Sequence, residues 1–312
     1  MNPVASLTDD QIDNLATFGI DRAIGINGRP SIDGSEQLLN DFGAGHHKFC
    51  FVAAERFQSV EFREALDALG EAAPISLIAI DEAHCASEWG HDFRAGYSNL
   101  GRTTRAGCTP TGQKAPPLVG MTGTATSAVL RDVQRALEIS EADTVQNHAS
   151  PHFDGPGLRF RVVQCAPQDK AACVKHVVSE LLARFGHTSE SYFGHGPATG
   201  VVFCPHVGGD HGVQHVAEAL SDVEGITVAA YSGSPPSART QGDWAAHTKA
   251  VARAFKRSKL QVVASTKALG IGIDNPNVRF TTHYGLPGSV EAFYQEAGRA
   301  GHDQQEAESV VI

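Results

Sequence analysis

The chain has 312 residues, enough for two domains, and its 41% hydrophobic and 19% charged residues can fill two cores. No apolar run reaches the roughly 20 residues of a membrane helix, and residues 1–11 show no basic stretch followed by an apolar core, so a soluble cytoplasmic protein is expected. The net charge of −10 weighs against a uniformly basic nucleic-acid binder, yet leaves room for local basic surface at Arg102 with Arg105 and at Arg253, Lys256, Arg257 and Lys259.

Along the chain, short apolar runs alternate with helical patterns. Residues 48–53 (KFCFVA) read as a strand and 61–69 as a helix. The run 75–80 (ISLIAI) is continuously apolar, as in a strand buried on both faces of a parallel sheet. A strand at 116–121 and a helix at 127–137 follow. Residues 147–157 (NHASPHFDGPG) carry the composition of a linker. Beyond it the alternation resumes, with strands at 159–163, 200–204, 227–231, 260–264 and 278–283 and helices at 171–185, 213–220 and 290–296. Residues 101–115 and 186–199 read as polar loops, and 310–312 as a strand cut short. This pattern predicts an α/β fold with parallel sheets in two lobes, residues 1–148 and 149–312, with a ligand cleft between them.

The six cysteines form no CxxC pair, and His46, His47, His206, His211 and His215 show no clean ligand pattern, so reduced thiols and no zinc site are expected. The strongest chemical signal is Asp81-Glu82-Ala83-His84 directly after the apolar run. A strand that ends in two carboxylates presents them at the carboxyl edge of the sheet, where α/β proteins bind ligands. Asp81 can hold Mg²⁺, usually through water, and Glu82 can polarise an attacking water. An Asp at this place is also what a helix N-cap requires.

The longer run DEAHCASEWGHDFRAGY, residues 81–97, resembles motif II and the aromatic-rich loop of the RecQ family of superfamily 2 DNA helicases. In that family the loop senses single-stranded DNA, and the matching positions are Trp89, His91, Phe93 and Arg94. Aromatic faces can stack on bases while Arg meets phosphate. GMTGTAT at 120–126 is similar to motif III, with Thr122 and Thr124 as its hydroxyls. Glu55 and Arg56 resemble a segment that touches the DNA backbone, with Ala54 in place of proline, and residues 6–11 (SLTDDQ) resemble another. GVVFCP at 200–205 resembles motif IV, and VVASTKALGIGIDNP at 262–276 resembles motif V, which implies nucleotide contacts at Gly270, Gly272 and Asp274. QEAGRAGHD at 295–303 resembles motif VI. There Gln295 and Arg299 match, while His302 stands where the family has a second arginine.

The resemblance covers nearly the whole chain. It implies two RecA-like lobes, ATP and Mg²⁺ as cofactors, single-stranded or forked DNA as partner, and 3'–5' unwinding in recombination and repair. It also implies a catalytic set of Asp81, Glu82, His84, Gln295 and Arg299. No G-x-x-x-x-G-K-[ST] phosphate-binding loop occurs in the 312 residues; GCTPTGQK at 107–114 fails because Gln113 separates Gly112 from Lys114. The first lobe therefore reads as truncated at its N-terminus, with an exposed sheet edge and marginal stability expected. A catalytically inactive nucleic-acid-binding scaffold and a split motor with a separate phosphate-loop segment are the alternatives.

Overall fold

A computed structural model describes residues 5–26, 35–88, 99–123, 126–145, 157–186, 197–236, 243–269 and 275–312. The chain divides into two compact units, Met1–Gln146 and Asn147–Ile312.

The first unit runs α1 (Ala5–Thr17), β1 (Ala23–Ile26), α2 (Ser35–Gly43), β2 (Phe49–Val52), α3 (Val60–Ala72), β3 (Ile78–Ile80), α4 (Cys85–Glu88), α5 (Leu100–Cys108), β4 (Leu118–Gly120) and α6 (Ser127–Leu137). Its described strands form two parallel pairs, β1 with β2 and β3 with β4. α3 shows why these residues fold as they do. The Ser59 hydroxyl accepts the Phe62 amide at 3.1 Å and caps the helix, and Phe62, Ala65, Leu66 and Leu69 form one buried stripe at helical spacing.

Two expectations for this unit are corrected. The run 75–80 is a strand only at Ile78–Ile80 and pairs only with β4 among the described residues, while Leu77 is 56% exposed. Residues 101–115 are not all loop, because α5 occupies Leu100–Cys108. Its buried positions Leu100, Thr104 and Cys108 recur every four residues, but two of them are not strongly apolar. The Thr104 hydroxyl donates to the Leu100 carbonyl at 2.6 Å, so its burial within the helix is satisfied.

The second unit runs β5 (Leu158–Val162), α7 (Lys170–Phe185), β6 (Thr199–Phe203), α8 (Val213–Ser221), β7 (Val228–Tyr231), α9 (Trp244–Lys256), β8 (Val262–Ser265), β9 (Val278–His283), α10 (Val290–Ala297) and β10 (Ala307–Val311). Six strands make one parallel sheet in the order β5-β10-β9-β6-β8-β7. Every residue of β6, β8 and β9 is buried, as expected where helices cover both faces of a parallel sheet. Gly200 has no room for a side chain, since a Cβ would stand 2.0 Å from the Phe280 ring on the neighbouring strand.

The strand expected at 310–312 is instead β10, a full strand between β5 and β9. Its polar residues hid it. Glu308 is buried yet forms ion pairs with Arg161, whose Nε lies 2.6 Å from it, and with Arg184, and the Thr281 hydroxyl donates to Ser309 Oγ at 3.0 Å. No helix among the described residues is long and apolar enough to cross a membrane.

Candidate functional site

In the first unit the geometry centres on the carboxyl ends of β3 and β4. The two strands run in register, with Ile80 opposite Gly120, so residues 81–84 and 121–123 leave the sheet side by side. The Met121 amide donates to the Ile80 carbonyl and the Ala83 amide donates to the Met121 carbonyl, each at 2.8 Å. Glu82 takes a left-handed backbone, φ +48°, which costs a non-glycine residue about 1–3 kcal/mol. The bonds on either side hold it there and aim its side chain.

The half-buried Asp81 accepts the Glu82 amide on Oδ1 at 3.0 Å. That amide is the very next one, not an amide in the first turn of α4, so Asp81 does not act as that helix's N-cap through this bond. His84 is 4% exposed and joins the two strand ends. Its Nδ1 lies 2.9 Å from Thr122 Oγ1 and 3.3 Å from Glu82 Oε2. Nδ1 therefore faces both the Thr122 hydroxyl and the Glu82 carboxylate.

Glu55 and Arg56 lie on a short 3-10 helix, Ala54–Gln58, directly after β2, where the buried Ala54 and Phe57 pin it to the core. Arg56 Nε is buried with no hydrogen-bond partner among the described residues. Residues 6–11 belong to α1, in which Thr8 is fully buried.

In the second unit, the turn that carries Arg299 follows α10 and is fastened to β9 at three points. The buried Glu296 lies 3.1 Å from His283 Nδ1 through Oε2. The Gly301 amide donates to the Val278 carbonyl at 3.0 Å. Gly301 has φ +71°, and a Cβ there would stand 3.0 Å from both Ala307 Cβ and the Gln305 carbonyl. Third, Arg279 grips Asp303: Nη1 donates to Oδ1 at 2.7 Å, Nη2 bonds Oδ2, and Nη2 also donates to the Pro276 carbonyl at 2.8 Å. Burial alone pushes the Asp303 carboxyl up, but the hydrogen bonds from Arg279 and the Gln305 amide, with the guanidinium charge, outweigh it and hold the group below its usual range. Gln295 and Arg299 are half-buried and His302 is exposed.

Trp89, His91, Phe93 and Arg94, Thr124, and Gly270, Gly272 and Asp274 lie outside the described residues. The structure brings together Asp81, Glu82, His84 and Thr122 in the first unit, and Gln295 and Arg299 on one helix end in the second. It adds Glu296, His283, Arg279 and Asp303, to which sequence reading gave no role. The signal for them was a charged or ionisable residue inside an otherwise buried run: VRFTTH holds both Arg279 and His283. Burial pushes the thiols of Cys50, Cys108 and Cys204 up to about 12, so these cysteines stay protonated at neutral pH.

Residues 192–304 match the helicase conserved C-terminal domain. Over its whole length the chain is 33% identical to the ATP-dependent DNA helicase RecQ of Pasteurella multocida and 30% identical to that of Bacillus subtilis. Over 99% of its length it is 30% identical to the ATP-dependent DNA helicase Q1 of Rattus norvegicus. The chain is thus similar to RecQ-type DNA helicases along its whole length. It spans about half the length of these relatives, 43%, 46% and 45% respectively.

Solved structures agree on the fold. The DEAD-box helicase Mss116 bound to single-stranded RNA superposes with a TM-score of 0.71 at 13% identity, over 99% of this chain and 58% of that one. The DUF1998 helicase MrfA bound to DNA and AMPPNP superposes with a TM-score of 0.67 at 17% identity, over 100% of this chain and 41% of that one.

Proposed function

We propose that this chain is motor sequence of an ATP-dependent DNA helicase that unwinds DNA in the 3'–5' direction and serves recombination and repair in the cytoplasm. The observation that carries the reading is the Asp81–Glu82–His84–Thr122 arrangement at the ends of β3 and β4 in a chain similar to RecQ helicases from end to end. In this reading residues 1–148 and 149–312 are the two RecA-like helicase lobes.

The donors fit a Mg²⁺ ion that arrives with a nucleotide. Asp81 offers one carboxylate, with Oδ1 already taken by the Glu82 amide, and no group of three or more metal-ligating side chains occurs among the described residues. Mg²⁺ keeps several waters and binds through one or two carboxylates plus phosphates, so a single carboxylate suffices. Bound there, Mg·ATP supplies the phosphoryl group whose transfer to water drives the motor.

The chain's own residues then divide the work. Asp81 holds the hydrated ion and Glu82 orients the attacking water and takes up its proton. His84 fixes Glu82 and reports its state to Thr122. Arg299 neutralises charge that develops on the transferred group, with Gln295 beside it and Gly270, Gly272 and Asp274 toward the nucleotide. Trp89, His91 and Phe93 stack on unpaired bases of single-stranded or forked DNA, while Arg94, Arg56, Glu55, Thr122 and Thr124 line the backbone path.

A second reading is a nucleic-acid-binding module that does not hydrolyse ATP, alone or until a separate polypeptide supplies a phosphate loop. It is favoured by the lack of a G-x-x-x-x-G-K-[ST] string in the 312 residues and by His302 in place of an arginine. Strand displacement separates the two. The motor reading expects release of a strand from a duplex with a 3' single-stranded tail, only with hydrolysable ATP and Mg²⁺, and none from a 5'-tailed duplex. Binding of both substrates without displacement of either supports the module instead, and displacement from the 5' tail refutes the polarity.

A further inference from the structure

α9 turns Val251 and Phe255 into the core of the second unit. The side it turns away carries Lys249, Arg253 and Lys256, at steps of four and three residues, which align along one helix face. Arg257 and Lys259 continue the line just beyond the helix. Of these five, Lys249, Arg253, Arg257 and Lys259 are exposed and Lys256 is half-buried. No Asp or Glu occurs from Trp244 to Ile273, in a chain where acidic residues outnumber Lys and Arg by 35 to 25.

The ordinary use of cations at a helix C-terminus is to complement its last carbonyls. Here those carbonyls have other partners. The Ala254 carbonyl accepts the Lys259 amide at 2.9 Å, and the Phe255 carbonyl accepts the Ser258 amide at 2.9 Å and Asn275 Nδ2 at 2.6 Å. Among the described residues no ion pair joins Arg253, Arg257 or Lys259 to a carboxylate. The end of the helix is also rigidly held. The buried Ser258 accepts Asn277 Nδ2 at 2.9 Å, and Asn275 Nδ2 donates to Thr199 Oγ1 at 3.3 Å.

The place of the stripe matters. α9 packs beside β7, the edge strand of the sheet, and its C-terminus leads to the amino end of β8, where the Gln261 and Val262 amides donate to the Thr227 carbonyl just before β7. The RecQ-like segments 204–205, 266–269 and 284 onward leave the opposite, carboxyl ends of β6, β8 and β9, while Asn275 and Gly301, from the segments that resemble motifs V and VI, bond at the amino ends to the Phe255 and Val278 carbonyls. Along the helix, Arg253 and Arg257 are about 6 Å apart at 1.5 Å per residue. Two steps along one strand of a duplex advance about 6.8 Å. Between Lys249 and Lys259 the residues that are neither cations nor buried are Ala250, Ala252 and Ala254, which supply no aromatic or large apolar anchor of the kind a protein partner needs.

We propose that this stripe is a second nucleic-acid contact, which grips phosphate backbone without reading bases beside the amino end of β8. It deepens the nucleic-acid reading given above and rests on it.

The test is anisotropy binding of the full chain to a single strand and to a hairpin duplex of about 30 nucleotides, across about 50 to 200 mM salt, where each lost phosphate contact removes roughly 0.7 to 0.9 from the log–log slope. The variants are Arg253→Ala/Arg257→Ala/Lys259→Ala and a control that removes three exposed cations of the first unit, Arg63→Ala/Lys114→Ala/Arg131→Ala. The stripe variant is expected to lose roughly tenfold or more in affinity at the lowest salt and to flatten the slope by about 2 to 3. The probe with the larger loss identifies which form the stripe holds. Equal losses in the control, or a stripe variant with unchanged affinity and slope on both probes, overturn the proposal and leave the nucleic-acid reading intact. A wild-type chain that binds neither probe overturns both.

Discussion

Replacing Asp303 by Ala is expected to lower the melting temperature of the second unit by roughly 10 °C. Arg279 and Asp303 are 5% and 8% exposed, and their two-pronged pair closes the segment after Arg299 onto β9. The substitution leaves a guanidinium buried beside an apolar methyl, a loss of about 3–5 kcal/mol, whereas replacing both partners with apolar residues of similar size restores much of it. At about 2–4 °C per kcal/mol for a unit of this size, the shift is large enough to read by circular dichroism.

The pair also fixes a pH response. The Asp303 carboxyl is held below its ordinary value when folded, so its contribution is fully present above the unfolded value of about 3.9 and is lost as pH falls through the lower folded value. Melting temperature should therefore drop below about pH 4 more steeply in the wild type than in Arg279→Met/Asp303→Leu. An Asp303→Ala chain that melts within about 2 °C of the wild type would show that the pair is not structural cement.

Arg299→Ala is expected to reduce DNA-stimulated ATP turnover by about a thousandfold or more, the range for loss of an arginine that meets the transferred phosphoryl group. Affinity for single-stranded DNA should stay within a few-fold, because the turn that carries residue 299 is held by Glu296, the Gly301 amide and Asp303 and not by the arginine side chain alone. Turnover in Arg299→Ala equal to that of the wild type would remove the role assigned to it. Loss of DNA affinity in parallel with turnover would recast Arg299 as a nucleic-acid contact.

Much of the second unit was legible in the sequence because its sheet is buried on both faces, so β6 and β8 read as apolar runs of the right length. β10 was not, since Glu308 and Ser309 sit in a buried strand only through the salt bridges to Arg161 and Arg184 and the hydroxyl contact with Thr281, which are tertiary facts. α5 was missed because Gly, Thr and Arg dominate a helix whose four buried residues, Leu100, Gly101, Thr104 and Cys108, include one large apolar side chain. α9 was missed because its alanines carry no period, although Asp243 caps it by accepting the Ala245 and Ala246 amides at 2.9 and 3.1 Å. The carboxylates at the end of β3 were found from position alone. Their link to Thr122 through His84 depends on β3 and β4 pairing in register, and no local pattern encodes that.

The central claim is that Asp81 and Glu82 run nucleotide hydrolysis under the control of DNA. Its most direct test is ATP turnover by the chain with and without single-stranded DNA, beside Glu82→Gln. Turnover is expected to rise with DNA in the wild type and to fall at least about a hundredfold in Glu82→Gln, as when a general base is removed. Turnover that survives Glu82→Gln, or DNA binding with no turnover in either protein, would contradict it.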